Sequence, residues 1–412
     1  MDIELNQVYN DNYIQKLIKF YNINPKADKH IHWCEINGDW AASPAKEFYT
    51  TTNGFNRTLE LIIDDKIIQQ AKQGECVIVF STFQESWSIE EEYIFYETYN
   101  IHIMLERWCD LYHIPYKNVA WITGDVSINK RIDSKIHVYG FSCYSHEFLM
   151  QTKNNLPVLR SLQSDIIPYN QRQFEKEFLC FQRFIKPGRM HLISELLQKN
   201  LIEYGYCSIP NELHNHNFLD RLKDWYWHLY WYKNFLASHD INIDNEWNTL
   251  ENIIPSLPWT LDVHDHDNNN CAELDTTLSS IPYYNTTFMS VISETQVEGN
   301  GCFISEAAYK AFFYKCPAIW IGQPGMVKQL RDWGFETWDW LFGEDYDNEL
   351  YMCNRIEMAV NSLKRAINLS KTPALIEQIH QQCERNNQWL YTEFYQQQSQ
   401  RLKDILINIQ HQ

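Results

Sequence analysis

Groups able to do chemistry fall where short apolar runs end. Phe288–Ile292 closes on Ser293-Glu294-Thr295; after a glycine-containing loop, Phe303-Ile304-Ser305-Glu306 opens a segment carrying Ala307, Ala308, Lys310 and Phe312. Cys76–Phe80 leads into Ser81-Thr82-Phe83-Gln84-Glu85, and Val119–Thr123 into Gly124-Asp125. Phe178–Phe181 leads into a loop with Arg183 and Lys186 that ends on Gly188-Arg189. A carboxylate at such an end can take the proton of a hydroxyl, with Glu85 the first candidate and Asp125 the second. A guanidinium is a planar fork of donors suited to phosphate oxygens, and a helix start adds oriented amides. Each group also has a plain structural use. Glu85 reads equally as a solvated loop carboxylate or helix cap, Asp125 as a turn residue after Gly124, and the two arginines as surface ion pairs. Asp265-His266-Asp267 offers carboxylate and imidazole to Mn²⁺ or Mg²⁺, but its Asn-rich surroundings read as a surface loop.

The elements that must position these groups follow from pattern. HIHWCEI (30–36), CVIVF (76–80), VAWIT (119–123) and IHVYGF (136–141) are predicted strands. Leu59–Lys72, stopped by Gly74, and Glu90–Tyr112 have helical spacing. FLCF, a helix over Arg189–Lys199 and YGYCSI repeat the unit. FMSVI, a helix opened by Ser305-Glu306, and PAIWIG before Pro324-Gly325 repeat it again. Strands alternating with helices predict parallel α/β sheets, in which ligands sit at the carboxyl ends of strands. No G-x-G-x-x-G is present, so the ordinary dinucleotide fingerprint is absent.

The stretch Phe288–Trp340 resembles the donor-sugar half of GT-B glycosyltransferases, and within them the α-1,3-fucosyltransferase family and related viral and bacterial transferases. That family has a Phe-Glu-Asn-Ser strand end, an aromatic residue, a Thr-Glu-Lys helix start and a Pro-Val-Val-x-Gly strand. Here Ser293-Glu294-Thr295, Phe303-Ile304-Ser305-Glu306 and Pro317-Ala318-Ile319 with Gly322 stand in those places. Thr295 replaces the family's Asn and Ala307 its Lys, with Lys310 one turn further on the same helix face. Gly188-Arg189 matches the end of the family's first donor-domain loop. About 50 residues match well, and Glu177–Ser208 more weakly. The resemblance implies a GT-B fold of two Rossmann-like domains facing across a cleft, with the acceptor on the N-terminal domain and a sugar nucleotide on the C-terminal one. It implies Arg183, Arg189, Glu294, Thr295, Phe303, Ser305, Glu306 and Lys310 as donor-binding residues. It also implies inverting, metal-independent transfer to a glycan hydroxyl, with no cofactor beyond the nucleotide sugar. GDP-fucose is the donor it suggests, and the two departures weaken that choice. The alternatives are a metal-dependent GT-A-like enzyme using Asp265 and Asp267, a viral enzyme glycosylating modified DNA bases, and an inactive sugar-binding protein.

Composition narrows the field. The chain has 412 residues and a net charge of −18, with no run of Lys or Arg, which disfavours binding by phosphate neutralisation along a nucleic acid. Eleven cysteines without a C-x-x-C pair predict reduced thiols. The N-terminus lacks a basic and an apolar region, and no apolar run nears the roughly 18 residues of a membrane helix. A cytoplasmic location is therefore expected, the host cytoplasm if the protein is viral. The expected domains are 1–165 for the acceptor, 177–370 for the donor with an aromatic insertion at 210–260 (WYWHLYWY at 225–232), and a C-terminal helix over 371–412, joined by a polar linker near 150–176.

Overall fold

The structure, a computed structural model, describes residues 21, 30–35, 63–82, 101–153, 164–182, 187–208, 249, 280–297 and 299–410. Glu85, Arg183, Lys186, Asp265–Asp267 and the aromatic run at 225–232 lie outside them. The protein is α/β, and among the described residues there are two separate sheets of four parallel strands each. The chain divides into two units. The first comprises Met1–Met150, Gly299–Ile304 and Thr392–Gln412; the second comprises Gln151–Glu298 and Ser305–Tyr391.

In the first unit the order is β1 (His30–Glu35), α1 (Asp65–Gln73), β2 (Cys76–Thr82), α2 (Ile101–Tyr112), β3 (Val119–Thr123), β4 (His137–Gly140) and α3 (Cys143–Lys153). The strands lie in chain order, β1-β2-β3-β4. Every residue of β2 and β3 is buried, as expected of inner parallel strands covered on both faces. Alternation then sorts the side chains. Ile78, Phe80, Val119 and Trp121 face one core with Ile67, Ile68, Leu105 and Trp108 of α1 and α2. Val77, Val79, Ala120 and Ile122 face another, with Leu402, Ile405, Leu406 and Ile409 from the end of the chain. Helix α1 starts where Asp64 accepts from Lys66 N at 2.8 Å. It stops at Gly74, whose φ of 76° is left-handed.

The second unit contains β5 (Lys176–Phe181), α4 (Pro187–Gln198), β6 (Gly205–Ser208), α5 (Ile281–Asn285), β7 (Thr287–Ser293), α6 (Glu306–Phe313), β8 (Ala318–Ile321), α7 (Met326–Asp332), α8 (Asp339–Phe342), α9 (Met352–Ile367) and α10 (Pro373–Tyr391). Its strand order is β6-β5-β7-β8. From β5 the chain runs through α4 to β6 on one side, then returns to the other side of β5 for β7. The connections therefore diverge between β5 and β7, which makes this gap a topological switch point. The core beneath is aromatic: Phe312 stacks on Phe335 at 4.0 Å, Tyr284 on Tyr314 at 4.0 Å, and Trp320 Nε1 donates to Ala308 O at 3.1 Å.

Two expectations about boundaries change. The single C-terminal helix over 371–412 is two helices, α10 and α11 (Glu393–Gln410), separated at Thr392. The Thr392 hydroxyl turns to the Glu393 carboxylate, a local bond that competes with helix continuation. The break separates helices that serve different cores, α10 in the second unit and α11 in the first. The first unit also takes in 299–304, the loop between the two blocks of the family-like stretch. Among the described residues no helix is long and apolar enough to cross a membrane.

Leu406 is 2% exposed in the core that α11 completes. Leu406→Ala should therefore destabilise the first unit by about 2–5 kcal/mol. A denaturant midpoint unchanged from wild type would mean α11 does not complete that core.

Candidate ligand site at the second sheet

The carboxyl end of the second sheet is assembled from groups far apart in sequence. At the switch point, β5 ends on Gln182, 1% exposed, and β7 on Ser293 and Glu294, 3% and 1% exposed. Arg189, in the first turn of α4 and 6% exposed, reaches across with Nη2 3.4 Å from Ser293 O. Among the described residues, Gln182 Oε1 and Ser293 Oγ on this edge are buried without a hydrogen-bond partner. A buried polar atom left unpaired costs about 1–3 kcal/mol, so a pair of them at a switch point makes this edge the candidate site for a polar ligand.

Glu294 ties this edge together. Oε1 accepts from Ser305 N at 3.1 Å and Oε2 from Thr295 N at 3.3 Å. Ser305 is the N-cap of α6, its hydroxyl accepting from Ala307 N at 3.2 Å. The strand end is thus joined to the helix start. Burial pushes the Glu294 carboxyl up to about 7, with the nearby Glu306 adding to the rise and the bonds from Ser305 opposing it. Gly322, just after β8, leaves the room the Met326 side chain needs: a Cβ there would lie 2.2 Å from Met326 Sδ, and in ordinary contact, 3.4 Å, with Glu294 Cγ. Gly188 has a similar role under the loop after β7, since its Cβ would meet Val297 Cγ2 at 2.0 Å.

Arg355, 1% exposed, holds the rim. Its guanidinium donates to Gly322 O at 2.8 Å, to Leu350 O at 3.1 Å, and to the carbonyls of Glu349 and Val297. The loops after β7 and β8 and the approach to α9 are pinned by one side chain. Asp347 occupies the start of α7, accepting from Val327 N and Lys328 N at 2.9 and 2.8 Å. That helix end already has its anion.

The residues read from the sequence therefore divide. Arg189, Glu294, Thr295, Ser305 and Glu306 come together at the β5–β7–α6 edge. Lys310 lies half-buried in the last turn of α6. Phe303 belongs to the first unit, 1% exposed, its ring edge-on to Tyr144 at 5.5 Å. Asp125 is wholly buried in the first unit as a tether. Oδ1 accepts from Ser127 N, Ser127 Oγ and Cys302 N at 2.9, 2.7 and 2.9 Å, and Oδ2 pairs with Arg131 Nη1 at 2.8 Å. With four donors on its two oxygens, Asp125 has the geometry of a loop anchor. Among the described residues no group of three or more His, Cys, Asp or Glu is placed to hold a metal ion.

Scans of this chain against protein-family models, curated proteins and solved structures return no match. Neither Gln182 at this edge nor Arg355 as the clamp was read from the sequence. Arg355 did leave a signal: it sits three residues after Met352 and four before Ala359, on the buried face of an amphipathic helix. A charge there must have partners inside.

Glu294 gives this edge a pH signature. Below pH 4.5 the carboxyl is protonated folded or unfolded and contributes nothing. Between 4.5 and about 7 the unfolded chain ionises while the fold holds its proton, so stability falls. Above 7 the loss is complete, about 3 kcal/mol. Thermal melts of Glu294→Gln should therefore gain on wild type as pH rises from 5 to 8. Parallel curves would show that the buried carboxylate carries no such cost.

Proposed function

We infer that the protein is a glycosyltransferase of GT-B type that binds a sugar nucleotide at the carboxyl edge of the second sheet and passes the sugar to an acceptor hydroxyl. The observation that carries the reading is the switch point of the order β6-β5-β7-β8, where a buried arginine and two unpaired polar atoms converge. The resemblance of Phe288–Trp340 to fucosyltransferases supports it, because Glu294, Ser305 and Gly322, the residues that carry the resemblance, lie on this edge.

As the bond to the leaving phosphate breaks, the sugar gains oxocarbenium character and the diphosphate gains negative charge. Stabilising that charge is an electrostatic task for groups already in place. Arg189 supplies the fixed cation, Arg183 and Lys310 are the further candidates, and the amides at the start of α6 supply oriented dipoles. Ser293 Oγ and Gln182 Oε1 suit hydroxyl or amide groups of the donor. The acceptor proton goes to a carboxylate, for which Glu85 is the candidate once Asp125 is set aside as an anchor. Divalent metal has no part in this scheme.

A hydrolysis screen across nucleotide sugars, in EDTA, tests the reading directly. Once a donor is found, its nucleoside diphosphate should bind Arg189→Ala about 10- to 100-fold more weakly by calorimetry. Arg189→Lys should fall between, because the charge is kept and the fork is lost. Glu85→Gln should lower kcat and leave donor affinity near wild type. Activity that needs Mn²⁺ and disappears in Asp267→Ala would move the reading to the metal-dependent alternative. Wild-type nucleotide affinity in folded Arg189→Ala would remove the site from this edge.

A further inference from the structure

The penultimate residues of β5 and β6 are both cysteines, and the parallel register sets Cys180 beside Cys207. Adjacent strands lie about 4.8 Å apart, inside the roughly 4.4–6.8 Å between Cα atoms that a disulfide spans. Residues paired in register project to the same face. The two thiols are in contact. The Cys207 thiol donates to the Cys180 sulfur, which lowers Cys180 from its ordinary value, and the Gln182 amide and the Arg189 charge act in the same direction. Cys207, left holding the proton and buried, is raised. Cys207 lies on the outermost described strand and is 8% exposed, the side from which a small oxidant meets the pair.

Gln182 connects this pair to the ligand edge. Its Nε2 donates to Cys180 Sγ at 3.1 Å, which leaves Oε1, the unpaired acceptor, turned the other way. The sulfur thus orients one of the groups assigned to the ligand.

We propose that Cys180 and Cys207 form a redox-active dithiol that closes reversibly to a disulfide across β5 and β6, and that its state sets the orientation of Gln182 at the ligand edge. With a small disulfide as oxidant, the less buried Cys207 thiol gives up its proton, attacks, forms a mixed disulfide and expels one thiolate. The Cys180 thiol then gives up its proton, attacks the Cys207 sulfur and expels the second. Two protein thiols become one disulfide; two electrons reduce the small disulfide to two thiols, which take up the two protons. Bonding to Cys207 draws the Cys180 sulfur toward β6, so the Gln182 amide that donates to it loses its anchor. The effect on ligand rests on the sugar-nucleotide reading, whereas the disulfide itself does not.

The test treats the full chain with oxidised glutathione, alkylates residual thiols with iodoacetamide in denaturant and maps the peptides. The expected product is lighter by two hydrogens before alkylation, yields a Cys180–Cys207 linked peptide and reverts with dithiothreitol. Cys207→Ser and Cys180→Ser should each give no linked peptide. Inorganic pyrophosphate titrated into both forms should bind the oxidised one about 2- to 10-fold more weakly, the worth of one hydrogen bond. Recovery of both cysteines alkylated after oxidation overturns the dithiol, and a linked peptide with equal pyrophosphate affinity overturns its coupling to Gln182. Binding of pyrophosphate to neither form counts against the sugar-nucleotide reading, while the peptide map still decides the dithiol.

Discussion

A guanidinium taken out of water must meet acceptors that the chain brings to it, and Arg355 meets main-chain carbonyls from three separate loops. The second sheet's carboxyl edge depends on this arrangement. Loops after parallel strands have carbonyls with no ladder to join, and an edge that is to bind polar ligands cannot cover them with apolar side chains. One buried arginine satisfies several at once and fixes the loops that carry Val297 and Gly322. Gly322 in turn leaves the space that the Met326 side chain fills. Removing the guanidinium would leave those carbonyls buried and unpaired, the costlier side of hydrogen-bond energetics.

Glu294 shows the same edge working against stability. Its carboxyl is buried and, instead of a salt bridge, accepts from the main-chain amides of Thr295 and Ser305 and from the Ser305 hydroxyl. A Gln or an apolar residue would be cheaper at neutral pH by the linkage argument. Acidic side chains kept where ionisation is costly are found most often at functional sites. The unpaired Gln182 and Ser293 atoms sit on the same edge, two more polar groups kept buried at a cost.

What could be read from the sequence was local. Val119–Thr123 is a strand because branched and aromatic residues run uninterrupted between turn signals. Ser305-Glu306 starts a helix because a hydroxyl there caps an amide two residues on. The polar strand ends were legible for the same reason, and with them Arg189 and Glu294. The strand order was not. That β7 lies beside β5 and not beyond β6 is decided by tertiary pairing, and it is this order that creates the switch point. Arg355 and Val297, 58 residues apart, and Cys180 beside Cys207 are products of that pairing too. Asp125 was legible only in part. Its turn-like setting was legible, but its partner Cys302 lies 177 residues on, in a segment whose neighbours in sequence belong to the second unit.

The two sheets are not interchangeable, and topology explains why. In the first, the described strands follow one another in order, so each connection steps the same way and no gap opens between diverging loops. Its polar strand-end groups turn inward: Ser81 and Thr82 accept from Trp33 and Trp121, and Asp125 holds a loop. In the second, divergence at β5 leaves an opening that Arg189 enters and where two polar atoms go unpaired. Chain order alone sets the two apart: the sheet with the reversal has a gap where a buried arginine meets unpaired acceptors, and the sheet without one has its described strand-end groups already engaged.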